Sequence, residues 1–183
     1  MPSIEGSSKP KSLTDSVEEV LKMHNIQFER SQAEELAKKL NSLGMRNAVK
    51  VLDCVLDPEC LRYGPETRVP VERAFEDVFG PGSVVRARIA TALDLLRPDE
   101  LFGVSISVDD VYPIYSELRV ITNTMLRWRV YGSTLIWASI ALVLERLLGP
   151  AVAEEVLRWL GKNRALELLK QIKLRGLQYY LGR

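Results

Sequence analysis

The sequence contains one histidine, His24, and two cysteines, Cys54 and Cys60. With no second His and no Cys placed to pair with it, a catalytic triad or dyad built on His24 has no partners. The two Cys are six residues apart, in neither a Cys-x-x-Cys pattern nor reach of a second ligand pair, so no zinc site is expected. Two Cys also make no disulfide framework. Lysine is absent from Val51 to Gly161, so a Schiff-base or nuclease lysine would have to come from the ends of the chain. Gly80-Pro81-Gly82 lacks the Lys-Ser/Thr of a phosphate loop, and no Gly-x-Ser-x-Gly or His-Glu-x-x-His motif occurs. The longest uncharged stretch, Val130 to Leu144, has 15 residues and includes Gly132, Ser133 and Thr134. A spanning helix needs ~20 apolar residues. Residues 1–11 carry no apolar core of a signal peptide. These absences argue against an enzyme, a cofactor, a bound metal, a small-molecule substrate and a membrane span, and they make the cytoplasm the expected location.

Helical periodicity dominates what is present. After a disordered tail over 1–11, the chain reads as one all-α domain over 12–183. Ser12 can cap a first helix whose Leu13, Val17, Val20 and Leu21 share a face, with Asn25 ending it. Ser31 and Glu34 suggest a second capping box, and Gly44 closes that helix. Pro58 is expected to open a short helix to Tyr63, Gly64 to Pro70 to form a loop, and Pro70 to start the next helix. Ser83 is expected to cap the helix after that. Val104 to Val108 alternates with period two, but a lone strand has no partner, so an extended connector is expected. Gly149-Pro150 separates two later helices, Gly161 ends the second, and Asn163 can cap the last.

Ile114, Leu118, Ile121, Met125, Trp128, Gly132 and Leu135 recur at spacings of four and three, a heptad-like seam. A helix from 114 to 148 would be ~50 Å long at 1.5 Å per residue, too long for a compact domain of this size. It therefore kinks near Gly132-Ser133 or protrudes. From about 133 to 148 the pattern is apolar nearly all round, which marks a central helix. The expected fold is a single-domain bundle of about eight helices around that element.

Cys54 and Cys60 are expected as small buried thiols, with an internal disulfide as the alternative for a hyperthermophilic source. The excess of Arg (16) over Lys (9), with only four Gln and five Asn, leans toward a thermophile. His24 reads as a surface or capping residue at a helix end. The paired acids Glu18-Glu19, Glu34-Glu35, Asp99-Glu100, Asp109-Asp110 and Glu154-Glu155 fall near helix starts, where they complement the dipole. Arg86, Arg88 and Arg97 share one helix and read as solvated or ion-paired.

Charge is uneven. Residues 1–157 carry 18 basic and 23 acidic groups, a net of −5, while residues 158–183 carry seven basic groups and one acid, a net of +6. Arg158, Lys162, Arg164, Lys170, Lys173 and Arg175, with Tyr179 and Tyr180, are therefore candidates for gripping DNA, RNA or an acidic protein. The seam residues Ile114, Leu118, Ile121, Met125 and Trp128 are candidates for a protein interface. Two functions compete. The first is a non-enzymatic assembly or adaptor subunit that binds another protein or a second copy of itself. The alternative is a nucleic-acid-binding protein, or a small subunit of a nucleoprotein complex, using the basic helix over 158–183.

Overall fold

The computed structural model describes residues 11–124 and 132–181. Among them the chain is all helical, with eleven helices and no strand. In order these are α1 (Leu13–Met23), α2 (Arg30–Ser42), α3 (Ala48–Val55), α4 (Pro65–Phe79), α5 (Ser83–Leu96), α6 (Pro98–Phe102), α7 (Val108–Thr124), α8 (Gly132–Leu148), α9 (Pro150–Trp159), α10 (Asn163–Leu174) and α11 (Gln178–Leu181). Contacts divide the chain into two compact units, Met1–Ala87 and Arg88–Arg183. Periodicity along the sequence draws no such boundary; it falls within α5. No helix among the described residues is long and apolar enough to cross a membrane. Of the expected tail over 1–11, all but Lys11 lies outside the described residues.

In the first unit, α1 pairs with α2 and α3, and α4 packs on α2 and α3. Their apolar stripes meet in one core that includes Val17, Leu21, Leu36, Leu40, Leu52 and Phe75. Ser12 caps α1 as its spacing predicts, its hydroxyl accepting from the Asp15 amide at 3.1 Å. Asn25 leaves the helix in the left-handed region, φ 56°, a conformation that Asn tolerates better than most residues. Arg30, at the start of α2, reaches back to Asp15 and Glu18 on α1 and forward to Glu34. The Ser12 hydroxyl, with help from Arg30, holds the Asp15 carboxyl below the usual carboxylate range.

Several local expectations need correction. The box that starts α2 is Glu29 with Gln32, not Ser31 with Glu34, because Glu34 is drawn to Arg30. Pro58 lies in a turn, where the Asp57 carboxylate accepts from the Glu59 amide at 2.9 Å and the Asp57 carbonyl accepts from the Cys60 amide at 3.4 Å. Helix α4 begins at Pro65, capped by Gly64, so that Pro70 lies inside it. Proline suits the first helical position. Burial of Val71, Ala74 and Phe75 on the following turn offsets the backbone bond that Pro70 cannot donate. Ser83 does not cap α5 with its hydroxyl, which is buried and makes no hydrogen bond. The preceding Gly82 amide instead donates to the Glu76 carboxylate at 2.6 Å. Val104 to Ser107 is an extended connector, as expected, with Val104 and Ile106 half-buried between exposed neighbours.

His24 is buried rather than a surface residue. It sits at the C-terminal cap of α1, and its Nε2 shares a 2.7 Å hydrogen bond with Asp53 Oδ1 on α3. Cys54, next to Asp53, is bonded to Cys60, so the two are not free thiols. The bond ties the end of α3 to the turn after it, and Arg68 of α4 donates to the Cys60 carbonyl at 3.0 Å. Closing a loop of about seven residues stabilises by roughly 2 kcal/mol through the unfolded chain. The double variant Cys54→Ala/Cys60→Ala is expected to lose about that much in a urea titration of the first unit. A midpoint that does not move on reduction of the native protein would contradict this.

In the second unit, α8 packs on α7, α9 and α10. Ten consecutive residues, Leu135 to Leu144, are buried, so α8 is the central helix that its sequence pattern describes. Burial on every side needs neighbours on every side, and the three packed helices supply them. Val111, Ile114, Tyr115, Leu118 and Ile121 give α7 its buried stripe. Arg146, near the end of α8, donates to the Leu181 carbonyl and ties α11 down. Helix α8 begins at Gly132, where a kink was expected; residues 125–131, which would make 114–148 continuous, lie outside the described residues.

Candidate polyanion-binding end of the second unit

Two contacts fix the direction of α10 against α8. The first turns of both helices line one cavity, with Ser133, Thr134 and Trp137 on one side and Asn163, Arg164 and Ala165 on the other. Further along, Lys173 of α10 pairs with Glu145 of α8 at 2.7 Å. The helices therefore run side by side in the same direction, with α9 returning the chain between them. Their N-terminal ends point the same way, and each presents backbone N–H groups and the positive end of a helix dipole. Neither has an acid in its first turn, and α10 has no side-chain cap.

The cavity between them has a volume of about 210 Å³ and is completed by Gly161 and Lys162. No carboxylate is among its lining residues. The Lys162 ammonium lies 5.3 Å from the centre of the Trp137 ring, within the range of cation–π attraction. Trp137 and Ala165 are buried, whereas Asn163 and Arg164 are exposed, so the first pair forms the floor and the second the rim. Arg88, from α5, reaches the head of α8; a Cβ on Gly132 would meet its guanidinium at 3.4 Å. Arg88 thus stands at the start of α8, while Lys162 and Arg164 line the cavity.

The basic residues singled out from the sequence fall into distinct groups. Arg158, Arg164, Lys170 and Arg175 are exposed on α9, α10 and the cap of α10. Arg158 also lies 3.0 Å from Glu155 on the same helix, a pair that water screens. Lys162 and Arg164 line the cavity. Lys173, four-fifths buried and paired with Glu145, serves the packing of α10 on α8. Tyr179 and Tyr180 lie on α11, and their side chains lie outside what is described.

The expected protein seam is corrected. Ile114, Leu118 and Ile121 are buried in this chain's own core, because the face of α7 that carries them packs on α8. Met125 and Trp128 lie outside the described residues. Of the paired acids, Asp99-Glu100 and Asp109-Asp110 occupy the first turns of α6 and α7. There Asp110 accepts from the Ser107 amide at 2.8 Å. Glu18-Glu19 and Glu154-Glu155 are instead further along their helices, where Glu18, Glu19 and Glu155 make ion pairs. Among the described residues, no cluster of three or more His, Cys, Asp or Glu is placed to hold a metal.

Reading the sequence missed Arg88, Ser133, Thr134, Trp137 and Asn163 as members of one site. Ser133 and Thr134 lie at the start of α8, and nothing local in the sequence links them to Asn163. Only the parallel course of α8 and α10 does so. No protein-family model, curated protein or solved structure matches this chain.

Proposed function

We propose that the chain is a non-catalytic nucleic-acid-binding protein, a small helical subunit of a nucleoprotein complex, that holds phosphates with the basic end of its second unit. The observation that carries this reading is the cavity lined by Lys162 and Arg164 with no carboxylate in its lining, together with exposed Lys170 on α10 and Arg175 at its C-terminal cap. Phosphates are held by Lys and Arg side chains and by helix N-termini, and both are present there. The competing assembly reading rested on the seam of α7, whose described members are in the core. Exposed Trp159 and Leu174 at the same end of the sequence still favour a protein neighbour in the complex. The proposal places the protein in the cytoplasm. A disulfide there fits a source that grows at high temperature, as does the excess of Arg over Lys.

The test is fluorescence anisotropy with labelled single- and double-stranded oligonucleotides across a salt series. Counterion release makes the logarithm of affinity fall by about 0.7 to 0.9 per phosphate contact for each tenfold rise in salt. A slope of about −3 to −5 is expected from the four exposed cations and Lys162. Absence of binding at about 50 mM salt would refute the proposal.

A further inference from the structure

We infer that Trp159 is a stacking platform for one base of a single strand at the basic end of the second unit. This rests on the nucleic-acid reading above and adds a contact beyond phosphate that only a single strand can use. Trp159 lies in the last turn of α9 and is 66% exposed. Every other Phe, Tyr or Trp side chain among the described residues is buried or half-buried. Ala153, Val156 and Leu157 fill the buried side of α9, and Trp159, two residues beyond Leu157, falls off that stripe. The helix end holds it there. The Leu160 amide donates to the Val156 carbonyl at 2.9 Å and the Lys162 amide to the Leu157 carbonyl at 2.8 Å, with Gly161 left-handed at φ 71°. A ring on a closed helix end has little freedom to lose when a base stacks on it.

The surroundings of the ring favour a base over an apolar partner. The other exposed residues from 155 to 164 are Glu155, Arg158, Gly161, Asn163 and Arg164, none of them apolar. A tryptophan that anchors a protein interface stands among contacts that keep water from it, and this stretch supplies no such rim. A base needs only the face of the ring, on a strand whose phosphates are drawn to the region. The attraction is regional: from Arg158 onward the chain has seven basic groups and one acid. Stacking uses the π-face and no cation, so it is compatible with the ion pairs of this stretch, such as that of Arg158 with Glu155 at 3.0 Å. In a duplex each base is covered by its neighbours, so only a base that has left the stack can reach the ring. Leu174, 80% exposed, has no ring to offer and is left to the protein neighbour.

The experiment uses the intact chain with an oligothymidine strand and a DNA duplex of equal length, at about 50 mM salt. Adding the strand is expected to quench tryptophan fluorescence. Trp159→Phe, which keeps a stacking ring, is expected to lose that quench while binding the strand within about threefold of the native protein. Trp159→Ala is expected to weaken single-strand binding about tenfold. The slope of affinity against salt should not change, because no phosphate contact is lost. Duplex affinity should change by no more than about twofold, since the duplex offers the ring no base. A quench that persists in Trp159→Phe would overturn this inference and leave the nucleic-acid reading standing, as would equal losses for strand and duplex in Trp159→Ala. Undiminished single-strand affinity in Trp159→Ala would do the same, and is what a residue that meets only a protein neighbour would give. Failure of the native protein to bind either DNA would overturn both.

Discussion

Leu144→Ala is expected to destabilise the second unit by about 3 kcal/mol, within the 2 to 5 kcal/mol typical of a buried leucine. Leu144 is fully buried on α8. The helix has packed neighbours in α7, α9 and α10, so the lost side chain leaves a cavity that no single element can move to fill. For a unit of roughly 100 residues, this lowers the thermal midpoint by more than about 10 °C. Leu174→Ala is the control. It removes the same side chain from a position 80% exposed, and a change of no more than about 0.5 kcal/mol is expected there. Equal losses in the two variants, read by thermal melts of the intact chain, would mean that α8 is not the centre of the second unit.

The contrast between those two leucines shows what the sequence can and cannot convey. Leu144 ends a run that is apolar on every face, so its burial is legible from local pattern. Leu174 lies beside the apolar stripe of α10, and only the finished packing shows it exposed. Ser12, Asn25, Gly149 and Pro150 act locally through their own backbone and side-chain chemistry, and their roles follow from position. The start of α4 was misplaced because two prolines compete for it: Pro65 and Pro70 both suit a first turn, and the burial of Val71 and Phe75 keeps the later one inside the helix. Glu34 left the expected capping box because Arg30 lies one turn away. Those choices are made by neighbours in space.

The same limit governs the candidate site. A one-sided basic segment is visible in the composition, but its members are not equivalent. Lys173 has its acid on α8, far away in the chain, and so belongs to the packing. Arg88 reads as one of several arginines on a helix until Gly132 is found beside it. The cavity itself depends on two helix starts that lie side by side because α9 turns the chain back between them. Periodicity gives the helices; it does not give their directions relative to one another.

That sorting determines which substitutions test function rather than folding. Replacing Arg158, Arg164, Lys170 and Arg175 together by Glu is expected to weaken oligonucleotide binding at least about 100-fold at low salt. It should also flatten the salt dependence by about one unit of slope for each phosphate contact removed. All four side chains are exposed, so the interactions lost, the Arg158–Glu155 pair among them, are screened by water and the fold should tolerate the change. Lys173→Glu is left out of the set. It would place two carboxylates together at a site four-fifths buried and unfold the packing of α10 on α8, imitating a binding defect. A charge-matched control reverses exposed Lys22, Lys38, Arg46 and Lys50 in the first unit. It changes net charge by the same amount, and affinity should fall only a few-fold through long-range attraction. If both quadruple variants lose affinity equally, attraction is a property of net charge and the basic end is not the binding surface. If only the second-unit variant loses it, with native circular dichroism and an unchanged melting midpoint, the exposed cations of α9 and α10 are what the nucleic acid meets.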